Sequence, residues 1–502
     1  MQNTLEENKN WKNMVIKEEE NAKYLEGGKD FIDEPEISRL LKTRRNVGSG
    51  EIRDIIRKSM SIQTLEPAET AALLNVQDQE LWEEIFQAAA RIKRKVYDNR
   101  VVTFAPLYCS SLCVNNCAYC GFRGENQVIE RRTLSIPEVR KEAEVLAGKL
   151  GHKRLVVVFG EHPSSGADYI CEVMRAIYGV KVKTRRGFGA IRRVNVNAAP
   201  MSIVDYKKIK DAGIGTYQVF QETYHPGIYN QVHPIMTIKG NYRWRLYSLH
   251  RAMEAGIDDV AIGALFGLAD WRFEVMGLLA HARDLEKHFG IGPHTVSFPR
   301  LEPAANTPFV RKTEYAVKDE DFKKLVAVLR LSIPYAGMIV TCRETPQMMR
   351  EVIAMCTQRD ASSKVGIGAY SERGDAQVEN IQQFILGDSR SLDEVIRDLA
   401  SLGYITSFCT AGYRCGRTGD NIMTMLKSGK EGCLCKLNAV LTFQEWLEDF
   451  ASEETRKMGE KLIAREISEI EKRVPQDFSP VILQAFKEYH SRIKSGERDL
   501  CF

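Results

Sequence analysis

The residues best suited to chemistry lie in one short run, Leu107-Tyr-Cys-Ser-Ser-Leu-Cys-Val-Asn-Asn-Cys-Ala-Tyr-Cys-Gly-Phe122, where Cys113, Cys117 and Cys120 stand as C-x3-C-x2-C. Soft thiolates converging from a single loop are iron–sulfur ligands, and this spacing lets three of them wrap one face of a four-iron cube. Three ligands for four irons leave one iron open to a substrate or cofactor. A structural zinc site usually presents two C-x2-C pairs, and this run holds one. Cys109 extends the x3 series backwards, but only Cys117 to Cys120 supplies the x2 step. Cys113 is therefore taken as the third ligand and Cys109 as a packing residue at a strand end. Tyr119 sets an aromatic ring beside the last cysteine, where an adenine could stack.

The rest of the composition narrows the setting. A formal charge of +4 on 502 residues is nearly balanced, which argues for neither a nucleic-acid nor a membrane partner. Twelve cysteines, two groups of them tight, suggest metal binding in a reducing compartment rather than a disulfide framework. No apolar run reaches membrane-spanning length. The acidic N-terminus, with Glu6, Glu7 and Glu18-Glu-Glu20, resembles neither a signal nor a transit peptide. The expected location is cytoplasmic.

The elements that must position the cysteines follow from periodicity. Residues 1–98 read as a charged helical extension, with Leu81, Ile85, Phe86, Ala89, Ile92 and Val96 repeating on one side of residues 80–97. Over residues 99–385, short apolar runs alternate with amphipathic helices, one of them opened by a Ser135/Glu138 capping box. Expected strands are Val101–Ala105, Leu155–Phe159, Ile191–Val196, Gly215–Phe220, Asp259–Leu265, His294–Phe298, Met338–Thr341 and Val365–Ala369. Eight strands at even spacing imply an α/β fold, a TIM-type (β/α)8 barrel, whose chemistry sits at the C-terminal strand ends. The cysteine loop follows the first strand.

Other strand ends are polar. Gly160-Glu161 follows strand two, Asn195 and Asn197 lie on strand three, Gln221-Glu-Thr-Tyr224 follows strand four, Ser297-Phe-Pro-Arg-Leu-Glu302 ends strand six, and Arg343-Glu344 ends strand seven. Carboxylates and guanidinium groups at separate strand ends suit a zwitterionic amino-acid ligand. Mutual salt bridges at the rim are the plainer alternative.

Residues 386–502 form a C-terminal cysteine-rich helical region. Cys409, Cys415, Cys433 and Cys435 could hold a second iron–sulfur cluster or a zinc ion, and Thr442 with Glu445 is expected to cap a closing helix.

These stretches, with Arg192–Asn197, Gly213–Tyr224, Ala252–Asp259, Pro293–Pro303, Gln383–Leu402 and Ser407–Gly419, resemble the radical S-adenosylmethionine (SAM) tyrosine lyases. The resemblance is nearest to the branch of iron-only hydrogenase maturases and more distant to the thiazole-synthesis enzymes. It implies a SAM-binding 4Fe-4S cluster on Cys113, Cys117 and Cys120, and cleavage of the Cα–Cβ bond of L-tyrosine to p-cresol and dehydroglycine. An external one-electron reductant and hydrogenase maturation proteins are the implied partners. Tyr119, Glu161 and Glu222 are the expected SAM contacts, and Ser297 with Arg300 the expected grip on the substrate carboxylate. Other amino acids stay open as substrates, as does a scaffold that only carries a cluster. Two departures stand out. The family's auxiliary motif is C-x2-C-x22-C, and here Cys409 and Cys435 take its first and third positions while Gly412 takes the middle one. The maturase branch also draws a histidine from the region after strand four, yet none lies between His233 and His250.

Overall fold

The computed structural model describes residues 10–372, 381–428, 431–473 and 477–502, apart from the side chains of residues 413, 428 and 431–433. Eight parallel strands close into a barrel: β1 Arg100–Ser110, β2 Arg154–Phe159, β3 Arg193–Asn197, β4 Tyr217–Gln218, β5 Val260–Gly263, β6 Thr295–Ser297, β7 Gly337–Val340 and β8 Gln358–Asp360. Each pairs with the next, and β8 returns to β1 through Val102↔Gln358 and Phe104↔Asp360. A ninth strand, β9 Ile405–Ser407, pairs with Arg100–Val102 along the part of β1 that lies below its pairing with β2.

Seven of the eight expected strands overlap the observed ones, and the eighth is corrected. Residues 365–369 are turns and bridges, and Gln358–Asp360 closes the barrel instead. Apolarity could not find this strand. Gln358 and Asp360 line cavities inside the barrel, while Arg359, between them, pairs with Asp388 at 3.0 Å. A strand polar on both faces has no hydrophobic signature.

The helices follow their sequence signals. Gln79–Tyr97 starts at Asp78, whose carboxylate accepts from Glu80 N and Leu81 N, and buries Leu81, Ile85, Ala89, Ile92 and Val96. That face packs on the helix Asp319–Ser332 of the outer ring. Each fully buried Ile or Leu there contributes roughly 1.5–3 kcal/mol. The Ser135/Glu138 capping box forms as expected and opens Ile136–Gly148. Glu142 on this helix accepts the backbone N–H groups of Tyr370 and Ser371, fastening the chain that leaves β8. The Thr442/Glu445 expectation is corrected, for both residues lie inside the helix Glu431–Asp449. The Thr442 hydroxyl bonds back to Asn438 O, and Glu445 takes Lys153 and Arg192 into a buried ion-pair cluster. Among the described residues, no helix is long and apolar enough to cross a membrane.

Inside the barrel, inward side chains stack in layers. Phe104, Val156 and Ile339 form an apolar floor. Above it opens a chamber at the C-terminal strand ends, and below it a smaller one lined by Val102 and Arg154, one inward step down β1 and β2, and by Gln358 of β8.

Candidate active site

The upper chamber has a volume of about 240 Å³, and Cys113, Cys117 and Cys120 all line it. The loop that carries them is pinned on both sides. Val114 N donates to Glu161 O, Gly160 N donates to Ser110 O, and Ala118 N donates to Val232 O. Two glycines allow the close packing. A Cβ on Gly160 would meet Leu112 O at 2.1 Å, and one on Gly121 would meet Gln383 O at 2.6 Å. Side-chain amides reach two of the sulfurs: Asn115 donates to Cys113 Sγ at 3.7 Å and Gln383 to Cys120 Sγ at 3.8 Å.

This donor set fits a cluster. Burial drives the Cys113 thiol up and the Cys117 thiol to about 12, against the pull of Lys239 on Cys117. Only a bound cation makes buried thiolates affordable. Among the described residues, the only group of three or more histidine, cysteine or carboxylate ligand atoms lying within 4.8 Å of one another belongs to His250, Asp284 and His288. The three sulfurs thus do not all lie within 4.8 Å of one another, which is compatible with separate corners of a cube.

Tyr119, Glu161, Glu222 and Ser297 all line the same chamber. Tyr119 is held by its hydroxyl on His233 Nε2, 2.8 Å away. Glu161 is 7% exposed; Asn115 holds one of its oxygens, and the other is buried without a partner. Burial raises its pKa, so this carboxylate calls for a further donor. Glu222 sits in left-handed backbone at φ 72°. Burial would raise its pKa too, but Lys239 at 2.7 Å and Arg245 at 3.1 Å outweigh that and hold it below the carboxylate range.

Arg300 is placed differently. It does not line the chamber, and its guanidinium is spent on Glu344, on Asp319 at 2.7 Å and on Val317 O at 3.0 Å. Two other guanidinium groups line it: that of Arg245, paired with Glu222, and that of Arg343, stacked on the Phe384 ring at 3.5 Å. Beside it, Glu302 is raised to about 7 by burial, opposed by Arg343. Arg343 and Glu302 stood at strand ends where the sequence could have marked them individually. Lys239, Arg245 and Gln383 had no such signal, because they reach the chamber from long connections outside the strands.

Of the second cysteine group, the described residues bring Cys409 and Cys435 to one chamber and leave Cys415 outside it. Cys409, Gly412 and Cys435 all line the lower chamber, whose volume is about 40 Å³. Cys415 is exposed, with its sulfur 3.5 Å from Phe502 O. The side chain of Cys433 lies outside the described residues. Cys409, Gly412 and Cys435 occupy the family's three auxiliary positions, so the described residues offer two thiols there. The segment between His233 and His250 holds no histidine, and the histidine that lines this chamber is His294, just before β6.

Comparison with known proteins agrees with this geometry. Residues 107–274 match the Radical SAM superfamily, and residues 297–405 the Biotin and Thiamin Synthesis associated domain. The chain is 30% identical to 2-iminoacetate synthase of Salmonella typhimurium strain LT2 over 71% of its own length and 90% of that protein. Its fold matches the crystal structure of HydG, a maturase of the [FeFe]-hydrogenase, with a TM-score of 0.88 and 45% identity, over 94% of this chain and 100% of the other. The HydG maturase from Carboxydothermus hydrogenoformans matches with a TM-score of 0.76 and 36% identity, over 91% and 97% of the two chains.

Proposed function

Because the chain belongs to the radical SAM superfamily, we propose that it is a tyrosine lyase that splits the Cα–Cβ bond of L-tyrosine into p-cresol and dehydroglycine, and that it acts in [FeFe]-hydrogenase maturation. The observation that carries the reading is the single chamber in which three cysteines, four carboxylates (Glu161, Glu222, Glu302 and Asp360), Ser297 and the guanidinium groups of Arg245 and Arg343 converge. The likeness to both a 2-iminoacetate synthase and HydG supports tyrosine over other amino acids. A scaffold that only carried a cluster would need no such chamber.

A four-iron cluster on Cys113, Cys117 and Cys120 supplies, when bound, one-electron cleavage of SAM and so a carbon radical able to take hydrogen from the substrate. The residues do the rest. Tyr119 offers a ring face to an adenine, and the unpartnered oxygen of Glu161 accepts from an ammonium or ribose hydroxyl. Glu222, fixed by Lys239 and Arg245, makes a second anionic wall. Ser297 and Arg343 grip the substrate carboxylate, and Glu302 exchanges a proton near neutral pH. The apolar floor excludes water that would quench a radical. An external one-electron reductant is required, and hydrogenase maturation proteins are the proposed partners.

The test is anaerobic reconstitution with iron, sulfide, SAM, dithionite and tyrosine. Both 5′-deoxyadenosine and p-cresol are expected. Deoxyadenosine without p-cresol would reassign the substrate, and absence of both would reject the lyase.

A further inference from the structure

The geometry points to a metal site outside the barrel, where His250, Asp284 and His288 hold one divalent ion of the zinc type. Asp284 and His288 stand four residues apart, on one face of the helix Trp271–Phe289 that follows β5. His250 comes from the helix Ser248–Glu254 that precedes β5. The three bring their ligand atoms within 4.8 Å of one another. His250 Nε2 lies 2.7 Å from Asp284 Oδ2, and His288 Nδ1 lies 3.5 Å from the same oxygen. None of the three lines either chamber, so the site is separate from both groups of cysteines.

A plain hydrogen bond between His250 and Asp284 accounts for one of these contacts and leaves the others. His250 is fully buried, and its Nδ1 has no partner. Nor has Nε2 of His281, whose buried ring lies parallel to that of His250 at 5.7 Å. With one nitrogen on Asp284 and the other bare, His250 is a neutral imidazole, the form that ligates metals. Among the described residues, Asp284 pairs with these two imidazoles and with no lysine or arginine. A buried carboxylate without a fixed cation is costly, and an ion here would supply the charge. The rings of Tyr24, Phe31 and Phe289 surround His250 at 5.0, 5.8 and 5.9 Å, an apolar shell around polar ligands. The His288 side chain is 22% exposed, which gives an ion its way in and a water its place as fourth ligand. Two imidazoles and one carboxylate select such an ion over magnesium or calcium, which take oxygen. Ligand atoms around a tetrahedral zinc sit roughly 3.3 Å apart. Small side-chain movements therefore close the site, at the expense of the His288 Nδ1 contact to Asp284 O at 3.0 Å. The assignment stands whatever amino acid reacts in the upper chamber, and its test reads metal rather than turnover.

The sample is the full-length chain, reconstituted anaerobically with iron and sulfide, then given zinc sulfate and desalted. One zinc per chain is expected beside the iron. X-ray absorption at the zinc edge should show nitrogen and oxygen at about 2.0–2.1 Å and no sulfur at about 2.3 Å. In competition with a chromophoric chelator, His288→Ala and Asp284→Asn should each weaken zinc binding about tenfold or more. Iron content and the EPR signal should stay those of the parent. His288 is partly exposed, so its variant reports on the site even where Asp284→Asn fails to fold. Zinc should raise the unfolding temperature of the parent, and magnesium should not. A zinc shell containing sulfur, no zinc retained, zinc binding unchanged in His288→Ala, or equal stabilisation by magnesium would each overturn the assignment.

Discussion

The side-chain amide of Gln383 donates to the sulfur of Cys120 across 3.8 Å, while its carbonyl accepts from the Tyr108 hydroxyl at 2.7 Å. A residue from the chain beyond the barrel thus completes the surroundings of a cysteine that follows β1. Hydrogen bonds to sulfur raise the reduction potential of an iron–sulfur cluster. Gln383→Leu should keep the iron and lower the midpoint potential by about 40 mV, the one-electron equivalent of a bond worth ~1 kcal/mol. Redox titration monitored by EPR measures it.

Gly121 lies where the cysteine loop touches the same segment, and a Cβ there would press on backbone rather than on a yielding side chain. Gly121→Ala should displace the loop at a cost of about 1–3 kcal/mol and lower retained iron well below that of the parent. Iron analysis after desalting decides it.

Glu222 owes its lowered pKa to Lys239 and Arg245. A carboxylate held below its unfolded value stabilises the fold above that value, and the contribution is lost as pH falls through the folded pKa. Lys239→Met removes the nearer cation and leaves Arg245. The variant should lose about 1–3 kcal/mol at neutral pH, less than a wholly broken buried pair. Its stability should also begin to fall at a higher pH on acidification. Thermal unfolding between pH 4 and 8 checks both.

Glu302 is raised to about 7 beside Arg343. Below that pH it is neutral and leaves the guanidinium to the substrate carboxylate. Above it, its own charge competes. Substrate affinity should therefore fall as pH rises through about 7, and Glu302→Gln should flatten the profile. A KM for tyrosine that does not vary with pH in the parent would contradict this.

Cys415 was a candidate ligand by spacing alone, and its exposed sulfur rests on the C-terminal carbonyl. Cys415→Ser should leave iron content and EPR unchanged, whereas Cys117→Ala should abolish both.

Much of this was legible in the sequence. Seven strands announced themselves as apolar runs, and the three cysteines as a spacing, because both signals are local. What was hidden was non-local. The eighth strand is polar on both faces. Arg300 and Arg343 look alike in sequence and differ only in whether Glu344 and Asp319 consume the guanidinium. His294 shares the lower chamber with Cys409, a nearness that no local spacing announces. Glu222 is a rare non-glycine residue at positive φ, and such strain is not visible before folding.

The most direct test of the account is the EPR spectrum of the dithionite-reduced protein with and without SAM. Three cysteine ligands and one open iron predict a four-iron signal whose g-values move when SAM binds, and which is lost in Cys117→Ala. A signal indifferent to SAM, or one that survives the loss of Cys117, would contradict it.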